Sequence, residues 1–270
     1  EDLSALFAGV YNVTITDANG CTHTESFDVN EPDLFNITAT ISSYAGGYNV
    51  SCAVSSDGSI DATVTGGTGP YFYFWSGPNS FTAITEDLAG LNDGVYNLTL
   101  TDQNGCSALA TYSLVAPTPI NIGLVAGLYN GGVNTTCAST PDGTIDATIA
   151  GGEQPYTIMW SGPNGFTSAS EDITGAAAGA YTMVVTDAIG CTASANITLA
   201  EPTAITSSVS AAILNGGSST SCNGGADGSI DLTINGGTPD HSISWTGPDG
   251  FGSQLQDLNA LAPGVYTLQI

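Results

Sequence analysis

The chain has 270 residues, 25 of them Asp or Glu and none Lys or Arg, for a formal charge of −25. That balance excludes a nucleic-acid or anionic-membrane surface, since both need cations to neutralise phosphate, and it leaves every carboxylate without a Lys or Arg partner in the chain. Only 9% of residues are charged while 41% are apolar, so a core can be buried and the acids form a dilute solubilising coat.

An 85-residue period runs through the sequence. Trp75, Trp160 and Trp245 keep it, as do the cysteine series Cys52, Cys137, Cys222 and Cys21, Cys106, Cys191. Tyr11, Tyr96, Tyr181 and Tyr266 take the same step. A fixed period of this kind means that one supersecondary unit has been copied head to tail. On this reading residues 1–32 are the C-terminal part of a repeat, 33–117 and 118–202 are complete, and 203–270 are the N-terminal part of a fourth. The expectation is that both ends are cuts in a longer array.

Within 33–117 the signals are those of short strands between turns. Residues 36–41 form a first strand, followed by a Gly46-Gly47 turn, Cys52 and a tight Asp57-Gly58 turn. Residues 59–65 alternate, with Ile60, Ala62 and Val64 on one side and Asp61, Thr63 and Thr65 on the other, the pattern of a half-buried strand. After Gly66-Gly67 the next strand places Tyr71, Tyr73 and Trp75 on the core face, with Phe72 and Phe74 opposite. A shorter strand or loop covers 81–91. Residues 95–101 follow, with Tyr96, Leu98 and Leu100 inward. Asp102-Gln103-Asn104-Gly105 then makes a hairpin turn into the last strand, 107–115. About seven strands around one Trp describe an all-β, immunoglobulin-like or polycystic-kidney-disease-like (PKD-like) sandwich, repeated end to end, with Trp75, Trp160 and Trp245 as core centres.

These motifs resemble the SprB repeat of Bacteroidota surface adhesins. The likeness rests on Cys52 with Asp57-Gly58-Ser59-Ile60, and on Gly66-Gly67 with Pro70-Tyr71 and Trp75. It rests also on Gly94-Val95-Tyr96, on Thr101-Asp102 with Asn104-Gly105-Cys106, and on the closing Ala116-Pro117. The Gly-Gly segment before the first cysteine is a departure from the family's shorter form. The resemblance implies long extracellular filaments at the cell surface, exported by type IX secretion and used in adhesion and gliding motility. The expected partners are neighbouring repeats of the same chain, other filaments or surface glycans.

Six in-phase cysteines point to an oxidising compartment. Three pairings are open: within a repeat (Cys52–Cys106), between sequence neighbours (Cys106–Cys137), or from the early cysteine of one repeat to the late cysteine of the next (Cys52–Cys191). In a sandwich the early cysteine precedes the second strand and the late one follows the sixth. Those strands run the same way, so the two lie about 27 Å apart along the strand, beyond the ~7 Å Cα limit of a disulfide. Cys52–Cys191 is therefore favoured. It would stiffen the junction between the complete repeats.

The in-phase acids Asp57, Asp61, Asp87 and Asp102 admit two readings. Carboxylate oxygens suit calcium, with Asp57 and Asp187 as the candidates. Alternatively the acids at turns bond their own backbone. No catalytic residues and no other cofactor are expected: His23 and His241 occupy different phases, and no His/Asp pair recurs beside a serine. Phe72 and Phe74 form an aromatic pair that could stack on sugars or on a neighbouring filament. No apolar run approaches the roughly 20 residues of a membrane-spanning helix.

Overall fold

The computed structural model describes residues 2–214 and 216–270. The described residues divide into two compact units, Glu1–Pro119 and Ile120–Ile270.

The first unit opens with an antiparallel hairpin of β1 (Gly9–Thr16) and β2 (Thr22–Val29). Seven strands follow: β3 (Asn36–Ile41), β4 (Gly58–Thr65), β5 (Phe72–Ser76), β6 (Thr82–Ala83), β7 (Leu88–Leu91), β8 (Gly94–Thr101) and β9 (Ser107–Leu114). They form two sheets, β3-β4-β7 and β6-β5-β8-β9. Ile60 and Ala62 of the first sheet meet Trp75, Leu98 and Leu100 of the second in one buried cluster, so the unit is a β-sandwich.

The second unit holds a further full set: β10 (Asn121–Ala126), β11 (Gly143–Ala150), β12 (Thr157–Ser161), β13 (Thr167–Ser168), β14 (Ile173–Ala176), β15 (Gly179–Thr186) and β16 (Thr192–Leu199). Their sheets are β10-β11-β14 and β13-β12-β15-β16, around Trp160. It continues with β17 (Thr206–Ala211), β18 (Gly228–Asn235), β19 (Ser244–Thr246), β20 (Gly252–Ser253), β21 (Leu258–Leu261) and β22 (Thr267–Gln269), in sheets β17-β18-β21 and β20-β19-β22 around Trp245. Among the described residues there are four 3-10 turns and no helix long and apolar enough to cross a membrane.

The alternation of apolar residues sets these strands. Along β4, Ile60 and Ala62 are 0% and 4% exposed while Asp61 and Thr63 face solvent. Two local readings change. The stretch 81–91 makes two short strands in different sheets, β6 and β7, so it crosses from one layer to the other. Asp57-Gly58 is not a turn: the turn closes earlier, where the Ser55 amide bonds the Cys52 carbonyl at 2.9 Å, and Gly58 is already the buried first residue of β4. Glycine is needed there for space, since a Cβ would stand 2.6 Å from Leu114 Cδ2 and 2.9 Å from the Leu91 carbonyl oxygen. Gly66, by contrast, needs both freedoms, with φ +77° and a Cβ position only 2.0 Å from the Leu34 carbonyl oxygen.

Candidate functional site: acid-anchored turns, tyrosine corners and cysteines

Of the four carboxylate series that recur with the period, those of Asp57, Asp87 and Asp102 are spent on backbone amides, while Asp61 and its copies are exposed on the second strand of each repeat. Asp57 Oδ1 accepts from the Ser51 amide at 3.0 Å, and Asp142 and Asp227 do the same with Thr136 and Ser221. The hydroxyl of Ser51, and then its amide, hold the Asp57 carboxyl below the ordinary carboxylate range. Thr136 and Ser221 act likewise on Asp142 and Asp227. Asp87 Oδ1 accepts the Ala62 amide at 3.0 Å, repeated by Asp172 with Ala147 and Asp257 with Leu232. Each of these acids therefore supplies an acceptor to a central strand of the first sheet, a role not legible from its position before a short strand.

Asp102 is the most deeply placed, 2% exposed. Its Oδ1 accepts the amides of Asn104 and Cys106, both at 2.9 Å, and its Oδ2 accepts that of Thr68 at 3.1 Å. Burial by itself would raise its pKa, but the amides of Thr68, Cys106, Asn104 and Gly105 outweigh burial and the net shift is downward. Asp187 repeats the knot with Ile189, Cys191 and Glu153. Thus the calcium candidates Asp57 and Asp187 both carry backbone donors, and the described residues hold no cluster of three or more His, Cys, Asp or Glu side chains suited to a metal.

A second recurring device is the tyrosine corner. Tyr96 donates its hydroxyl to the carbonyl four residues upstream, Asn92, at 3.1 Å. Tyr181 does so to Ala177 at 2.9 Å, Tyr266 to Ala262 at 3.0 Å and Tyr11 to Phe7 at 2.9 Å. This contact pins the start of the penultimate strand, as it does in immunoglobulin-like sandwiches. The in-phase Tyr series was the signal available in sequence; the hydroxyl's partner was not. The indoles are tied in the same way, Nε1 donating to the carbonyls of Thr85, Ser170 and Leu255 at 2.9, 3.0 and 3.1 Å. His241 stands in for a tyrosine. Its Nε2 lies 2.9 Å from the Gly236 carbonyl oxygen, where Tyr71 and Tyr156 bond Gly66 and Gly151. His23 lies on the exposed hairpin, 3.4 Å from Glu25.

Cys52 and Cys191 are disulfide-bonded, whereas Cys21, Cys106, Cys137 and Cys222 are exposed thiols. Phe72 and Phe74 project from β5 into solvent, 61% and 52% exposed, with Leu109 of β9 79% exposed on the same sheet. Their counterparts differ in each copy, Thr157 and Met159 in one and Ser242 and Ser244 in the next.

The model of the SprB repeat matches residues 48–80, 133–165 and 218–250. Three segments of the chain, one in each copy of the unit, are thus similar to the SprB repeat. Each match runs from the early-cysteine loop through the second strand of the repeat and the Trp strand to the 3-10 turn beyond it. The tyrosine corner and Asp102 itself lie outside the matched spans, whereas its partner Thr68 lies inside one. No curated protein matches the sequence. Among solved structures, a Ca2+-stabilised adhesin with which an Antarctic bacterium reaches out and binds ice aligns at 17% identity, over 96% of this chain and 80% of that one, with a TM-score of 0.32. A tetra-tandem repeat from the extending region of a large adhesion protein aligns at 14% identity, over 99% and 74%, with a TM-score of 0.26. The first two immunoglobulin domains of DIP-gamma align at 12% identity, over 62% and 97%, with a TM-score of 0.30.

Proposed function

We propose that this chain is a tension-carrying segment of a cell-surface adhesin filament of a Bacteroidota cell, exported by type IX secretion and serving adhesion and gliding. The observation that carries this reading is the threefold SprB match in step with the 85-residue period. What recurs in every copy is structural: a tied indole, a tyrosine corner and acid-anchored loops. Exposed residues such as Phe72 and Phe74, by contrast, vary between copies. Catalysis has no place in this reading, because no His/Asp/Ser constellation recurs.

In the same reading Cys52 and Cys191 are linked to each other, joining repeat 33–117 to repeat 118–202. Their shared oxidised state supports the link, as does the topology, which places the cysteine of each repeat before its second or after its sixth strand. An antibody raised against 33–202 tests the reading: it should label unpermeabilised source cells along surface filaments. Labelling only after lysis refutes it.

The exposure of Phe72 and Phe74 favours a second reading, in which this one repeat also binds surface glycans by aromatic stacking. Glycan-array binding that survives Phe72→Ser with Phe74→Ser refutes it.

A further inference from the structure

The carboxylates of a complete repeat are not spread evenly over its surface. Strands β5, β6, β8 and β9 contain no Asp or Glu. The same holds for β12, β13, β15 and β16 of the next repeat. The central strand of each opposing sheet, by contrast, presents an exposed acid, Asp61 of β4 and Asp146 of β11. In a chain with 25 acids and no Lys or Arg, one sheet of each sandwich thus shows solvent an uncharged face while the other shows an acidic one.

On repeat 33–117 the uncharged face is also apolar. Cross-strand pairing sets Phe72, Thr101 and Ser107 in one outward row, Phe74, Thr99 and Leu109 in the next, and Ser76, Asn97 and Thr111 in a third. Strands lie ~4.8 Å apart, so Phe74 and Leu109 stand about 10 Å apart on either side of Thr99. Phe72 is two residues from Phe74 on the same strand, roughly 7 Å away. All three apolar side chains are more than half exposed. An apolar centre without charge, rimmed by hydroxyls and an amide, has the composition of a protein–protein contact. The matching face of repeat 118–202 carries Thr157, Met159 and Ser194 at these three positions, so this character belongs to one repeat.

Charge selects the occupant. A basic partner would be drawn to Asp61 and the acidic loops, away from this face, and an anionic one would meet no cation anywhere on the chain. Two copies of the chain, each at −25, repel through any surfaces that bring their carboxylates together. They meet at least electrostatic cost where neither has a carboxylate.

We propose that two copies of this chain pair face to face through the β6-β5-β8-β9 sheet of repeat 33–117. The face is self-complementary: a two-fold axis running along β8 between the sheets sets Phe74 of each copy against Leu109 of the other. Sheets stack ~10 Å apart in such packing, which leaves room for the rings to interdigitate. The three longer strands give a footprint of roughly 400 Å2 per copy, against ~800 Å2 per partner in a standard complex. The pairing is therefore weak and reversible between free chains. It does not rest on the adhesin reading; on filaments, tethering would raise the local concentration and let such contacts hold neighbours side by side.

Sedimentation equilibrium of the full chain, in reducing buffer so that thiols cannot crosslink, tests the pairing from micromolar to millimolar concentration. Mass should rise from 27.1 kDa toward twice that value, and added salt should strengthen the association by screening the repulsion between copies. Phe72→Ser with Phe74→Ser places at these positions the serines that Ser242 and Ser244 supply in the third copy. This variant should keep the circular dichroism spectrum and Tm of the parent while pairing weakens by at least about tenfold. Asp61→Asn, on the opposite sheet, should leave the pairing in place. A monomer at every concentration and salt, or a dimer indifferent to the double substitution, overturns the proposal. So does a dimer that salt weakens. A chain that stays monomeric yet binds a neutral glycan through Phe72 and Phe74 assigns the face to sugar, which overturns the pairing and upholds the second reading above.

Discussion

Tyr181→Phe isolates one hydrogen bond whose cost the structure allows to be worked out. The ring stays, and with it the edge-on contact to Phe166 at 5.4 Å between centroids. What goes is the hydroxyl's bond to the Ala177 carbonyl at 2.9 Å, from a side chain only 1% exposed. Losing the bond and leaving a poorly solvated carbonyl without its partner costs about 1.5 kcal/mol. For a folding unit of roughly 85 residues the unfolding entropy near the midpoint is about 0.18 kcal/mol/K, so Tm should fall by about 8 °C. Tyr96→Phe, at 2% exposure, should behave alike. Tyr11→Phe removes the same i to i−4 bond from the exposed hairpin, where water replaces it, and should cost less than about 0.5 kcal/mol. Differential scanning calorimetry on the three variants provides the test. Equal losses at Tyr11 and Tyr181, or a loss at Tyr181 below about 0.5 kcal/mol, would refute the claim that burial gives the corner its weight.

Acid should destabilise the sandwiches through their turn anchors. Asp57, Asp102, Asp142 and Asp227 have folded pKa values below the ordinary 3.8. Their stabilisation is therefore complete above the unfolded carboxylate range and is lost as pH falls through the depressed folded values. Tm should drop steeply below about pH 4, and a chain with all four acids changed to Asn should show a flatter profile. Reduction should lower the stability of the 33–202 pair: closing a loop of roughly 140 residues contributes about 5 kcal/mol in the chain-entropy model, and urea titration with and without reductant measures it. Recovery of Cys52 linked to Cys106 by non-reducing peptide mapping would show that the loop is a different one. Because Asp57 and Asp187 already accept backbone amides, millimolar Ca2+ or a chelator should leave Tm in place; a clear shift would mean that these loops open to hold the ion.

The strands and the period were legible in sequence because both are local properties. Alternation along residues 59–65 needs only neighbouring side chains to declare a half-buried strand, and an 85-residue step in Trp, Cys and Tyr needs only counting. The fold class followed, since seven short alternating strands around one indole have few ways to bury their apolar faces. What each polar residue does was a different matter. Asp102 opening a hairpin was readable as a turn, but its bond to Thr68 spans 34 residues, and that of Asp87 to Ala62 spans 25. Gly58 looked like a turn glycine until Leu91 and Leu114 closed over it. These roles depend on which segments the two sheets bring within 3 Å of one another. The sequence alone thus determined that one sandwich unit is repeated and which side chains fill it. The tertiary structure decided which carboxylates reach across the sandwich, Asp102 to Thr68 and Asp87 to Ala62, because those bonds join residues far apart in the chain.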